Sequence, residues 1–141
     1  MDLTSGSAST GGTGAEPAGD AVLPDVVTSA AARRRVSDLL RGAGISLDSV
    51  PAADALLVTS ELTANALRHG GGIHGFRTHI DGGALYLSVS DTSLDLPVSR
   101  APAPDRPGGF GWPLIQRLAD HVTIDTFPGG KTITTILRLI P

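Results

Sequence analysis

The sequence has no cysteine among its 141 residues, which excludes disulfides, thiolate metal sites and cysteine nucleophiles. It has one Trp, one Tyr and three Phe, and its formal net charge is −3. A nucleic-acid surface usually shows a basic patch or stacking aromatics, so we expect no direct contact with nucleic acid. No apolar run approaches the roughly 20 residues of a membrane span, and the amino end lacks a secretory signal. These absences favour a cytoplasmic protein without a membrane partner.

Composition divides the chain into two parts. Residues 1–24 are rich in Ser, Gly, Thr and Ala, so they are predicted to be a disordered low-complexity tail. A passive leader is the favoured interpretation of this tail, and an interaction arm is the alternative. Residues 25–141 are predicted to form one domain, because a chain of this length can bury a core without metal or disulfide links.

The apolar pattern first predicts a helix that begins between Asp25 and Thr28 and runs to about Arg41. Three consecutive arginines, Arg33–Arg35, interrupt its apolar stripe. Adjacent residues of a helix point in different directions, so at most two of them serve one surface. The favoured interpretation is a solvated flank, and the alternative is a contact for an acidic partner.

A second predicted helix carries a row of polar residues. Its boundary residues are Asp48 or Ser49 as N-cap, Pro51 in the first turn and Gly70 after the last turn. Glu61, Asn65 and His69 are four residues apart, so they form one stripe beside the apolar face. Taken alone, such a row is most often a solvated face. The alternative is a pocket wall, where a carboxylate takes a proton and an amide oxygen binds a hard cation.

Alternating apolar residues predict two β-hairpins, one on each side of a third helix. The expected strands are Ile73–Ile80, Leu85–Ser90, Val122–Thr126 and Ile133–Leu139. Asp91 follows the second strand on the side of its apolar residues, where a carboxylate must be paired, protonated or bound. A ligand amine would satisfy it, and so would backbone amides of the turn that it begins.

A proline-containing segment, Ser93–Gly109, separates the hairpins and is interpreted as a lid, a binding loop or a disordered segment. It leads through Gly109-Phe110-Gly111 into the third helix. Glycines before a helix present free N–H groups and a favourable dipole, so a phosphate site is one interpretation and a simple turn the other. A P-loop ending at Gly130-Lys131-Thr132 is rejected, because a strand follows instead of a helix. The four histidines lack the spacing of a zinc motif.

In their order along the chain, these features resemble the GHKL (Bergerat-fold) ATP-binding domain. The resemblance covers about Ala30–Leu139, and it is greatest to the small anti-sigma-factor serine kinases common in actinobacteria. The segments that carry it are Ser60–Gly70, with Glu61-x3-Asn65-x3-His69, then Asp91, Gly108–Gly111 and Leu118–Asp120. The resemblance implies an α/β fold, an α+β two-layer sandwich whose mixed, mostly antiparallel sheet is covered on one face by helices.

The resemblance also implies a set of site residues around Mg²⁺ and ATP. Glu61 would be the catalytic acid that activates the attacking hydroxyl, and Asn65 would be the Mg²⁺ ligand that bridges to the triphosphate. Asp91 would accept the adenine amino group. The other implied cofactor-binding residues are Gly109 and Gly111 for phosphate, Arg68 and His69 along the same site, and Thr132, whose strand parity opposes that of its apolar neighbours.

The implied activity is that of an ATP-dependent serine kinase, which binds a sigma factor and phosphorylates an anti-anti-sigma protein of the STAS type. A homodimer is also implied. The usual family pattern after the strand-end aspartate is Asp-x-Gly-x-Gly, whereas Thr92–Asp95 contains no glycine. This difference favours the alternative, a nucleotide-responsive or degenerate binding module that holds a regulator without transferring phosphate.

Overall fold

A computed structural model describes residues 26–97 and 111–140. These residues form three helices and four strands, in the predicted order of helix, helix, hairpin, helix and hairpin. Their bounds are α1 (Ser29–Gly42), α2 (Val50–His69), β1 (Gly75–Asp81), β2 (Ala84–Asp91), α3 (Gly111–Leu118), β3 (His121–Phe127) and β4 (Gly130–Arg138). The predicted tail and most of the segment between the hairpins lie outside the described residues.

The two long helices begin at side-chain caps. The Thr28 hydroxyl accepts a hydrogen bond from the Ala31 N–H at the start of α1. Ser49, rather than Asp48, caps α2, since its hydroxyl accepts from the Ala52 N–H at 3.3 Å. A capping hydroxyl satisfies one of the free N–H groups of the first turn, so each helix start is specified locally.

The four strands form one sheet of order β1-β2-β4-β3, in which every neighbouring pair is antiparallel. Gly82 and Gly83 join β1 to β2 with φ angles of 59° and 78°. A two-residue hairpin turn with both φ values positive suits glycine and matches the twist of the strands. The central strands, β2 and β4, are distant in sequence, so the two hairpins are joined into one sheet by a long-range contact.

One face of the sheet is buried under the helices. Along β2 the residues of this face are Leu85, Leu87 and Val89, and all three are buried. They pair with Leu137, Thr135 and Ile133 of β4, while α2 contributes Val58, Leu62 and Ala66 to the same core. On the opposite face, Tyr86, Ser88 and Ser90 are only half-buried. The structure thus confirms the two-layer α/β sandwich with an antiparallel sheet.

A buried hydroxyl of α2 is hydrogen-bonded to α1. Thr63 donates to the Thr59 carbonyl at 2.8 Å, and its oxygen lies 2.7 Å from the Ser29 hydroxyl. A buried hydroxyl costs free energy unless it is hydrogen-bonded. The Thr63 hydroxyl is bonded within α2 and also to Ser29 of α1, so it links the two helices. Near this contact, exposed Arg33 donates to the Ser60 hydroxyl at 3.3 Å.

Within the described segments, no helix has the length and apolar character that a membrane span requires.

Candidate functional site

The polar row of α2 lies at the border of the buried face. Glu61 and Asn65 are half-buried, whereas His69, in the last turn, is exposed. Val58 and Leu62, on the adjoining side of the helix, are fully buried. The spacing of four residues therefore places an acid and an amide beside the core, as a pocket wall requires.

Asn65 carries an unsatisfied polar atom. Its side-chain nitrogen Nδ2 is buried and has no hydrogen-bond partner among residues 26–97 and 111–140. Buried polar atoms are nearly always hydrogen-bonded, and one without a partner costs about 1–3 kcal/mol. An amide that keeps its donor free beside a carboxylate fits a ligand that offers acceptor oxygens, such as a phosphate.

The start of α3 lies directly against this pair. Gly111 is the first residue of α3 and is buried. A Cβ atom added there would collide with the Glu61 carboxylate oxygen Oε1 and would lie 4.0 Å from Asn65 Oδ1. The first N–H groups of a helix have no partner within the helix, and they carry the positive end of its dipole. The fold thus brings Glu61, Asn65 and a helix N-terminus to one place.

Asp91 lies where β2 meets the end of α2. Its side chain is 5% exposed, as predicted from its strand parity. Gly70, the C-cap of α2, packs so closely that an added Cβ would be 2.5 Å from Asp91 Cγ and Oδ2. The Thr92 N–H also donates to the Gly70 carbonyl at 3.0 Å. The last turn of α2 and the end of β2 therefore hold each other in place.

The carboxylate of Asp91 is paired with Lys131, a residue that sequence reasoning missed. Lys131 Nζ lies 3.0 Å from both carboxylate oxygens and 3.2 Å from the Ser93 carbonyl oxygen. Both side chains are 5% exposed. The Ser93 N–H donates to Asp91 Oδ1 at 3.0 Å, so the predicted turn amide is present as well.

A signal for Lys131 existed in the sequence. It shares the parity of Ile133 and Thr135, which are buried, so a strand that extends back to Gly130 places its side chain on the same face. Its partner was not visible, because the register that places Lys131 opposite Asp91 joins β2 to β4. Gly130 contributes to the same contact, since an added Cβ there would collide with the Asp91 backbone oxygen.

The remaining candidate residues are not all brought to this site. Arg68 and His69 are exposed at the end of α2. Thr132 pairs with Ser90 across the strands, and their hydroxyl oxygens are 2.7 Å apart. Successive residues of a strand face opposite sides, so the Thr132 hydroxyl lies on the face away from Asp91. Gly109 lies outside the described residues.

Residues 26–97 and 111–140 contain no group of three or more His, Asp or Glu side chains that could hold a metal ion. Mg²⁺ bound with a nucleotide needs few protein ligands, because phosphate oxygens and water complete its octahedral shell. Asn65 with the neighbouring Glu61 carboxylate fits this limited requirement. The unpaired amide and the close approach of α3 therefore suit a magnesium-bound nucleotide better than a protein-only metal centre.

A two-layer sandwich with this polar row and helix start is suited to bind a nucleotide. The family model of the histidine kinase-like ATPase domain matches residues 23–137. The chain belongs to this family, and membership supports ATP binding and a kinase-like regulatory role.

Two of the solved structures that match this chain come from Erythrobacter litoralis. The histidine kinase domain of the EL346 blue-light activated histidine kinase is 20% identical, with a TM-score of 0.47, over 87% of this chain and 66% of that one. The EL346 blue-light activated histidine kinase is also 20% identical, with a TM-score of 0.48, over 82% of this chain and 42% of that one. The chain thus spans less than two-thirds of the length of either structure. A comparison with curated proteins finds no match.

Proposed function

We propose that this chain is an ATP-binding regulator of the anti-sigma-factor type, a Mg²⁺·ATP-dependent serine kinase that acts on an anti-anti-sigma partner with a STAS domain. The observation that carries the proposal is the meeting of Glu61, Asn65 and the Gly111 end of α3. An acid, a free amide and a helix N-terminus are the groups that positioning a triphosphate requires. Family membership supports the nucleotide part of the proposal.

Each residue has a chemical role in this proposal. Asn65 would hold Mg²⁺ through its side-chain oxygen, and the first N–H groups of α3 would donate hydrogen bonds to the phosphate oxygens. Bound Mg²⁺ supplies charge neutralisation at the triphosphate. Glu61 takes the proton from the partner's attacking serine hydroxyl, for which its carboxylate is suitably placed beside Asn65. Arg68 and His69, exposed at the end of α2, are candidates for further phosphate or partner contacts.

A second candidate function is a binding module that holds a regulator, such as a sigma factor, without transferring phosphate. The observation that favours it is the engagement of the Asp91 carboxylate by Lys131 and by the Ser93 N–H. A carboxylate that already accepts hydrogen bonds within the protein is a weaker acceptor for an adenine amino group. In this candidate, nucleotide binding changes the stability of the module and its affinity for the partner. A homodimer is the assembly that we propose for either candidate.

Calorimetric titration with Mg²⁺·ATP tests the nucleotide site. We expect wild type to bind and Asn65→Ala to bind about tenfold or more weakly, because it loses both the amide donor and the cation ligand. Arg34→Ala is the control, since Arg34 is exposed on α1. An absence of binding to wild type at millimolar ATP would refute the nucleotide site.

Transfer of labelled phosphate to a STAS-domain partner separates the two candidates. Glu61→Gln keeps the shape of the side chain but removes the proton acceptor, so we expect unchanged ATP affinity and transfer reduced by about 100-fold or more. Asp125→Asn, an exposed change of the same chemical kind on β3, is the control and should transfer as wild type does. If wild type transfers no phosphate to any STAS partner while binding ATP, the binding module is the function.

A further inference from the structure

In the ion pair between Asp91 and Lys131, every donor of the ammonium has an acceptor within the protein. The ammonium has three donors, and it meets three acceptors, namely both Asp91 carboxylate oxygens and the Ser93 carbonyl oxygen. Both side chains are 5% exposed. The ammonium therefore has no donor left for a ligand, and the carboxylate charge is neutralised within the protein.

This pairing limits what Asp91 can offer to a base. Its Oδ1 accepts from Lys131 and from the Ser93 N–H, and Oδ2 accepts from Lys131 while Gly70 lies against it. A base amine that took the place of the ammonium would leave a buried cation with one acceptor fewer. Such an exchange is unfavourable, because an uncompensated buried charge is strongly destabilising.

We propose that Lys131 determines the base selectivity of the nucleotide site, by withdrawing the Asp91 carboxylate from base recognition. The inference rests on the proposed nucleotide site and concerns how that site distinguishes one base from another. Affinity then comes from the triphosphate contacts at Asn65 and the start of α3, which are the same for any nucleoside triphosphate. The site accordingly distinguishes ATP from GTP poorly.

Removing the ammonium releases the carboxylate. Adenine presents an amino donor at the position where guanine presents a carbonyl oxygen, and a free carboxylate attracts the first and repels the second. Lys131→Met keeps the length of the side chain and removes its charge, so Asp91 regains its capacity to accept from adenine. A purely structural Lys131 predicts a different result, in which the substitution changes the affinities for both nucleotides equally.

The experiment compares wild type, Lys131→Met and Arg138→Met by calorimetric titration with Mg²⁺·ATP, Mg²⁺·GTP and Mg²⁺·tripolyphosphate. Arg138 is exposed on the same strand, so its substitution removes one positive charge without touching Asp91. For wild type and Arg138→Met we expect ATP and GTP affinities within about threefold of each other. For Lys131→Met we expect the preference for ATP to rise by about tenfold or more, as one gained hydrogen bond to a charged group implies.

Tripolyphosphate separates a failure of the selectivity role of Lys131 from a failure of the proposed nucleotide site. It carries no base, so its affinity should be the same in all three proteins within about twofold. An unchanged ratio of ATP to GTP affinity in Lys131→Met overturns the selectivity role and leaves the nucleotide site standing. If Lys131→Met does not fold, the wild-type ratio still decides, since a preference for ATP above about tenfold contradicts a withdrawn carboxylate. If wild type binds neither nucleotide nor tripolyphosphate, the proposed function is overturned and the inference with it.

Discussion

Replacing Gly70 by Ala tests how tightly the end of α2 is packed against Asp91. Gly70 has a φ of −110°, which alanine adopts without strain, so the cost of the substitution is steric. The new Cβ would lie 2.5 Å from Asp91 Cγ and Oδ2 and 2.7 Å from Asp91 Cβ. Asp91 cannot withdraw easily, because Lys131 and Ser93 hold its carboxylate.

The contacts set the size of the expected effect. Forcing one extra carbon into a well-packed site costs about 1–3 kcal/mol. If the displaced carboxylate also separates from Lys131, breaking a buried pair costs about 3–5 kcal/mol. Since the two groups can shift partly together, we expect Gly70→Ala to lower the free energy of unfolding by about 2–4 kcal/mol.

Urea unfolding followed by circular dichroism measures this loss, and thermal unfolding should show a midpoint lower by about 10 °C or more. Gly42→Ala is the matched control, because Gly42 ends α1 and a Cβ there meets nothing within 4 Å. Alanine favours a helix over glycine, so the control should be as stable as wild type or more stable by up to about 1 kcal/mol. A Gly70→Ala protein within about 0.5 kcal/mol of wild type would refute the steric argument.

Substitutions at three further positions test other contacts. Ser49→Ala removes the cap of α2 and should lower the free energy of unfolding by about 1 kcal/mol in urea titrations, whereas unchanged stability would contradict the capping role. Thr63→Val removes a buried hydroxyl shared with Ser29 and should cost about 1–2 kcal/mol. Thr63→Ser keeps that hydroxyl and should be closer to wild type in its unfolding midpoint. Gly111→Ala displaces the Glu61 carboxylate and should weaken Mg²⁺·ATP binding about tenfold in calorimetry, and an unchanged affinity would show that this contact is not part of the site.

The elements of the fold could be predicted from the sequence because their signals are local. A capping hydroxyl, a proline in the first turn and a terminal glycine delimit α2 within one continuous segment. The two-residue glycine turn between β1 and β2 and the alternation along each strand are equally local. The choice between Asp48 and Ser49 as the cap needed the structure, because both side chains can accept from a free N–H group. The strand ends needed it as well, since β4 begins at Gly130 and not at the predicted Ile133.

The candidate site was partly predictable for the same reason. Glu61 and Asn65 lie four residues apart on one helix, so helix geometry alone brings them together. The close approach of Gly111 was not predictable from spacing, because glycine before a helix is compatible with a simple turn. Thr132 shows the opposite case, since strand parity already indicated that its side chain opposes the apolar residues of β4.

The sequence by itself determined that Asp91 enters the buried face, because side chains alternate along a strand and its neighbours of the same parity are apolar. The strand predicted from the sequence begins at Ile133, so Lys131 enters the corresponding face only because β4 extends back to Gly130. Only the tertiary structure decided that the two meet, since the pairing of β2 with β4 joins residues 40 apart. Strand parity is set within a strand, whereas register between distant strands is set by packing of the whole core against the helices.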